Sequence, residues 1–185
     1  MEPLAVEYQQ RLVKELQQTL KRSNPLSLPR LSKIVVNVGV GKSDHRDQVV
    51  KNVADQLLVI TGQKPKVTRA KQSISGFNLR QGDPVGVAVT LRGRCMYQFF
   101  EKLVRIVLPR VKDFQGVSPE AFDQSGTYTL GLSEQIVFPE IEYDKIDTVR
   151  GLEITIVTTA RNPAEAKLLL TLFGIPFRRE EATSG

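Results

Sequence analysis

Four segments of this 185-residue chain alternate between bulky aliphatic side chains and mostly small or polar ones, and nothing else in the sequence restricts the fold as much. In "LSKIVVNVGVG", Ile34, Val36, Val38 and Val40 share one face, against Lys33, Val35, Asn37 and Gly39. In "DPVGVAVTLRG", Val85, Val87, Val89 and Leu91 oppose Gly86, Ala88, Thr90 and Arg92. "YTLGLS" sets Tyr128, Leu130 and Leu132 against Thr129, Gly131 and Ser133. "LEITIVTTA" sets Leu152, Ile154 and Ile156 against Glu153, Thr155 and Val157. Successive strand side chains point to opposite faces, so each segment is a half-buried strand. Strands of this kind build antiparallel sheets with one face covered and the other in water.

The intervening segments supply the cover. Leu4, Tyr8, Leu12, Leu16 and Leu20, widened by Val13, predict a helix over 4–21, stopped by the two prolines of "RSNPLSLPR". "SDHRDQVVKNVADQLLVITG" predicts a second helix, with Ser43 or Asp44 as cap and Gly62 as stop. "KPKVTRA" is short and extended. "CMYQFFEKLVRIVLPRV" predicts a helix ending near Pro109, with Cys95 buried and inert at its start. "KDFQGVSPEAFDQSGT" is a loop, and "FPEIEYDKIDTVRG" an acidic connector. In "NPAEAKLLLTLFGI", Asn162 caps a last helix, Pro163 takes its first turn and Glu165 completes a capping box. The expectation is an α+β fold in one domain over 1–185, with an antiparallel sheet, helices on one face, an open face, a basic loop projecting at 70–84 and a loose tail at 178–185.

Charge points to the partner. The net charge is +6. From Lys64 to Lys112 eleven bases stand against two acids, Asp83 and Glu101, so this segment carries 11 − 2 = +9 and the rest of the chain 6 − 9 = −3. A concentrated basic region is the footprint of a polyanion. An open face made of Lys33, Asn37, Gly39, Gly86, Thr90, Arg92, Thr129, Gly131, Ser133 and Thr155 suits RNA, whose backbone, 2′-hydroxyls and shallow groove are read by hydrogen-bonding groups on a flat surface.

Other chemistries find little support. The one Cys allows no internal disulfide, and with the one His, His45, gives no zinc set. "GKS" at 41–43 follows a strand and precedes a helix, as in a P-loop nucleotide-binding protein, but the glycine that motif needs five residues before Gly41 is Val36. Glu140, Glu142, Asp144 and Asp147 alternate with Ile141, Tyr143 and Ile146, as a solvated side alternates with a packed one. His45 lacks a catalytic companion. No catalytic residue, metal, cofactor or small-molecule substrate is expected. No apolar run approaches the roughly 20 residues that span a bilayer, so no membrane partner is expected and the chain reads as cytoplasmic. Phe77, between Gly76 and Asn78, lies outside any apolar periodicity. It either folds back onto the domain or stacks on a base or sugar.

The blocks "LSKIVVNVGVG", "ITGQKPKVTRAKQSISGFNLRQGDPVGVAVTLRG", "FFEKLVRIVLPRVKDFQG" and "SEQIVFPEIEYDKIDTVRGLEITIVTTA" together resemble the bacterial-type L5 family of large-subunit ribosomal proteins, over nearly the whole chain. The resemblance implies a curved antiparallel sheet with helices on one face, in a bacterial or organellar ribosome. It implies binding to 5S rRNA in the central protuberance, beside 23S-type rRNA and neighbouring protuberance proteins. The family's rRNA-contacting positions match Lys33, Asn37, Gln63, Thr90 and Arg92; the alternation puts all but Gln63 on the open face. The basic loop would reach the tRNA in the peptidyl site through Arg69, Lys71, Ser73, Ser75, Phe77, Asn78 and Arg80. The segment from Phe114 to Ile146 matches the family's bridge to a protein of the small-subunit head. Asp83, where family members often carry a neutral or aromatic residue, is a departure expected to weaken phosphate contact slightly. A regulatory RNA-binding module outside the ribosome is the alternative.

Overall fold

The computed structural model describes residues 4–41, 46–77, 79–142 and 146–178. Its strands are β1 (Leu31–Gly39), β2 (Lys66–Arg69), β3 (Pro84–Leu91), β4 (Tyr128–Leu132) and β5 (Leu152–Thr158). They form one sheet in the order β2-β3-β1-β5-β4, with every neighbouring pair antiparallel. β1 is the central strand. Ile34, Val36, Val38, Val87, Val89, Leu91, Leu152, Ile154 and Ile156 are all buried on one face, as the alternation requires. Leu31 joins them although it stands three residues before Ile34. A bulge between Leu31 and Lys33 in the pairing with β5 absorbs the extra residue.

Four helices among the described residues cover that face. α1 runs through Leu4–Glu7, a π turn at Tyr8–Leu12, and Val13–Leu20. Its apolar residues recur every four positions, a spacing that drifts around a helix of 3.6 residues per turn. The wider π turn takes up part of that drift and keeps Leu4, Leu12 and Leu16 buried together. α2 is Arg46–Thr61, closed by Gly62 at φ 67°. α3 runs through Gly93–Lys102, a π turn at Leu103–Val107, and Leu108–Arg110, so it continues one residue past Pro109. α4 is Pro163–Leu172.

Aromatic rings join the layers. Phe173, just after α4, stacks on Tyr8 at 5.5 Å and meets Phe100 edge-on at 5.4 Å. Asn162 Oδ1 accepts the Glu165 N–H at 2.8 Å, as a cap should. The reciprocal half of the expected capping box is not formed. The Glu165 carboxylate instead accepts the Arg161 N–H and pairs with Arg22, tying the end of α1 to the start of α4. Cys95 is exposed, not buried as expected, because it lies off the face of α3 that carries Met96, Phe99 and Phe100. No described helix is long and apolar enough to cross a membrane. Ser43, Asp44, His45, the "KS" of "GKS", Tyr143 and Asp144 lie outside the described residues.

The loop after α3 is pinned at both ends. Val117 pairs with Phe177 as a parallel bridge, and Tyr128, Phe122 and Phe177 form a ring cluster with centroids 4.7–5.8 Å apart. Farther along, the Asp123 carboxylate closes a turn. The Thr127 N–H first, then the Ser125 hydroxyl, hold its pKa below the usual value.

Candidate nucleic-acid interface

The strand register assembles the open face in rows. Lys66, Ala88, Asn37, Glu153 and Gly131 form one row across all five strands. Thr90, Val35, Thr155 and Thr129 form the next, and Thr68, Gly86 and Gly39 lie on the other side. With strands about 4.8 Å apart, a five-strand row spans about 19 Å, wide enough to lie along several nucleotides. No described helix packs here: Lys33, Val35 and Asn37 are half-buried, and Thr90 and Glu153 are exposed. Gly86 is buried, and it has to be glycine. A Cβ there would sit 2.8 Å from the Val38 carbonyl oxygen and 3.1 Å from Thr68 Oγ1.

The five residues named for rRNA come together. Lys33, Asn37 and Thr90 stand on the face, and Arg92 follows Leu91, the partner of Ile34. Gln63 reaches the same place from the turn after α2, donating from Nε2 to the Thr90 carbonyl at 3.1 Å. Lys66 and Thr68 belong to the surface too, and the reading of the sequence missed them. β2 is only four residues long, too short for its alternation to stand out, yet its register sets Lys66 opposite Ala88, in the row of Asn37.

The eleven bases do not act as one patch. Lys66 and Arg92 edge the open face, while Arg69 ends β2 at the base of the projecting loop that carries Lys71 and Arg80. Lys102 is turned into the helical layer, where its Nζ donates to the Ile60 carbonyl at 2.6 Å and pairs with Glu140. Arg105 pairs with Glu101 along α3. The half of the face built by β5 and β4 is not basic at all, since Glu153 sits in its middle row. Positive charge therefore gathers on the β2-β3-β1 half.

The basic loop is a finger with its own hydrogen bonds. Ala70 N–H donates to Asp83 O at 2.8 Å and Gly82 N–H to Ala70 O at 2.9 Å. Ile74 and Leu79 exchange both backbone bonds below the tip, and the Gln81 N–H donates to Ser73 Oγ at 3.0 Å. Lys71, Ser73, Ser75 and Arg80 are exposed; the Phe77 side chain and Asn78 lie outside the described residues. Arg69 is partly engaged, with Nη1 donating to the Gly82 carbonyl at 2.9 Å. Asp83 accepts the Arg80 N–H at 2.9 Å and pairs with Arg46 at 3.2 Å. Its charge is thus committed to the base of the finger.

Among the described residues no group of three or more His, Cys, Asp or Glu stands close enough to hold a metal. Glu140, Glu142 and Ile141 line an open groove of about 340 Å³ beside α2, and Asp147 pairs with Arg150. The all-antiparallel sheet also differs from the parallel sheet of a P-loop enzyme.

Comparison with known proteins agrees with this architecture. Residues 24–80 match the family described as ribosomal protein L5, and residues 84–177 match the C-terminus of the same ribosomal family. The two matched stretches interleave in a single sheet, because β1 of the first lies between β3 and β5 of the second. The chain is 52% identical over 179 residues to the large ribosomal subunit protein uL5 of Desulfatibacillum aliphaticivorans, covering 97% of this chain and 100% of that protein. It is 55% identical over 172 residues to the uL5 of Anaeromyxobacter sp. (strain K), covering 93% and 96%. It is 51% identical over 179 residues to that of Dictyoglomus thermophilum, covering 97% and 100%. With matches in order along nearly its whole length and an α+β fold around an open antiparallel sheet, the chain belongs to the bacterial-type ribosomal protein L5 family.

Proposed function

We propose that this chain is an RNA scaffold of the large ribosomal subunit whose open sheet face holds 5S rRNA. Family membership makes it a structural ribosomal constituent and not an enzyme. The observation that carries the 5S reading is the convergence of Lys33, Asn37, Gln63, Thr90 and Arg92 on one uncovered surface, drawn from β1, the α2–β2 turn and the end of β3. Lys33, Lys66 and Arg92 neutralise phosphates, and Asn37, Thr90 and Gln63 supply directional hydrogen bonds to backbone oxygens and 2′-hydroxyls.

The finger is proposed to touch the backbone of the peptidyl-site tRNA through Lys71, Ser73, Ser75 and Arg80, with Arg69, Phe77 and Asn78 completing the contact. Contacts to 23S-type rRNA, neighbouring protuberance proteins and, through the segment from Phe114 to Ile146, a protein of the small-subunit head belong to the same proposal. The test is binding of the purified chain to 5S rRNA and to an unrelated RNA of equal length, at low and high salt. Preference for 5S rRNA that survives high salt, lost in Asn37→Ala with Thr90→Ala, is expected. Equal binding to both RNAs, or an unchanged affinity in the double variant, overturns the reading. Deleting Ser73 to Arg80 should spare 5S rRNA binding and impair tRNA positioning on assembled subunits.

A further inference from the structure

We propose that Asp83 is a positioning residue: its ion pair with Arg46 fixes the direction in which the finger leaves the sheet, so that the finger meets its RNA already aimed. The finger continues β2 and β3 past a register shift between Thr68 and Arg69. A bulge bends the strand and adds twist, so the direction of the emerging hairpin is set at this point. Arg69 pairs with Pro84, which has no N–H to give to the ladder, so β-pairing weakens where the direction must be set.

Asp83 stands at that point, and both its backbone and its side chain are engaged there. Its carbonyl accepts the Ala70 N–H at 2.8 Å, which binds the two legs of the finger together, and its own N–H donates to Arg80 O at 3.1 Å, which closes a turn within its own leg. Its carboxylate accepts the Arg80 N–H at 2.9 Å and the Arg46 Nη1 donor at 3.2 Å. Arg46 is the first described residue of α2, a helix packed against the covered face of the sheet. The strut therefore joins the finger to the helical layer, and its partners are 18% and 33% exposed, so the pair is partly sheltered from solvent. An acid in a basic, RNA-facing segment is otherwise a liability; here the acid sets the aim of the bases beyond it. The tRNA half of the inference rests on the proposed role of the finger, whereas the strut itself does not.

The full chain tests it by measuring the distance between spin labels on the native, exposed Cys95 and on Ser75→Cys at the tip. The parent should give one narrow distribution. Asp83→Asn keeps an acceptor for the Arg80 N–H and removes the charge, and Arg46→Gln removes the other partner. Both should broaden the distribution alike, while Arg46→Lys, which keeps the charge, should restore most of it. Reconstituted large subunits carrying Arg46→Gln should then bind peptidyl-site tRNA about two- to tenfold more weakly, about the cost of ordering one further side chain on binding, with 5S rRNA affinity unchanged. Distributions as narrow in Asp83→Asn and Arg46→Gln as in the parent overturn the strut. Broadened distributions with tRNA affinity unchanged overturn the positioning role. If deleting the finger itself leaves tRNA affinity unchanged, the finger reading fails and the strut stands on the spin-label data alone.

Discussion

The unequal use of the basic residues can be read out by salt. Lys33, Lys66 and Arg92 border the open face, whereas Lys102 spends its ammonium on the Ile60 carbonyl and Glu140 in the helical layer. Each phosphate neutralised contributes about 0.9 to the slope of log K against log salt. About a fourfold rise in salt should then weaken binding about 3.5-fold per contact, or about 40-fold for three. Replacing Lys33, Lys66 or Arg92 singly by Ala should lower the slope by about one unit each, and affinity should fall by a similar factor for any RNA. Lys102→Met should leave the slope where it was, although it strands Glu140 and should lower the melting temperature. The assay is fluorescence anisotropy of labelled 5S rRNA with the purified full chain across a salt series, with a thermal melt of each variant as a folding control. A Lys102→Met slope reduced as much as that of Lys33→Ala would refute the argument, as would unchanged slopes in all three face variants.

Three further outcomes follow from the packing. Gly116 has φ +101°, and a Cβ there would lie 2.7 Å from Arg178 N, so Gly116→Ala should cost at least about 1–2 kcal/mol in urea melts and free the 176–178 segment from Val117. Asn162→Ala removes the acceptor for the Glu165 N–H and should cost about 1 kcal/mol, with Asn162→Asp close to the parent. Burial, chiefly, pushes the Tyr8 and Tyr128 hydroxyls from 10.0 up to about 12. Between those values the unfolded chain gives up protons that the folded chain keeps, so stability should fall as pH rises from 10 towards 12 and be indifferent to these groups below. Urea melts across that range should show a shallower fall for Tyr8→Phe with Tyr128→Phe; an identical fall would mean that neither hydroxyl is responsible.

Much of the open sheet face is legible in the sequence alone. The alternation puts Lys33, Asn37, Thr90 and Arg92 on the open face because the pleat repeats every two residues and its aliphatic partners have to be inside. Gln63 carries no such local signal and was named only through the family resemblance; its bond to the Thr90 carbonyl needs the turn after α2 to fold back on β3. Cys95 is exposed against expectation because its neighbours, apolar in sequence, lie on a different side of the helix. In the sequence Asp83 shows only as a mild obstacle to phosphate contact, since its pairing depends on Arg46, 37 residues earlier.

The sequence by itself determined which faces would be wet or dry, that the strands would pair antiparallel under a layer of helices, and where helices stop at Gly62 and begin at Asn162. These are properties of periods and end signals a few residues long. Only the tertiary structure decided the order β2-β3-β1-β5-β4, the place of Lys66 beside Asn37, the acidic half around Glu153, the withdrawal of Lys102 from the basic surface and the strut at the finger. Each depends on register between segments tens of residues apart, where many pairings satisfy the same local pattern and the packing of the whole core selects one.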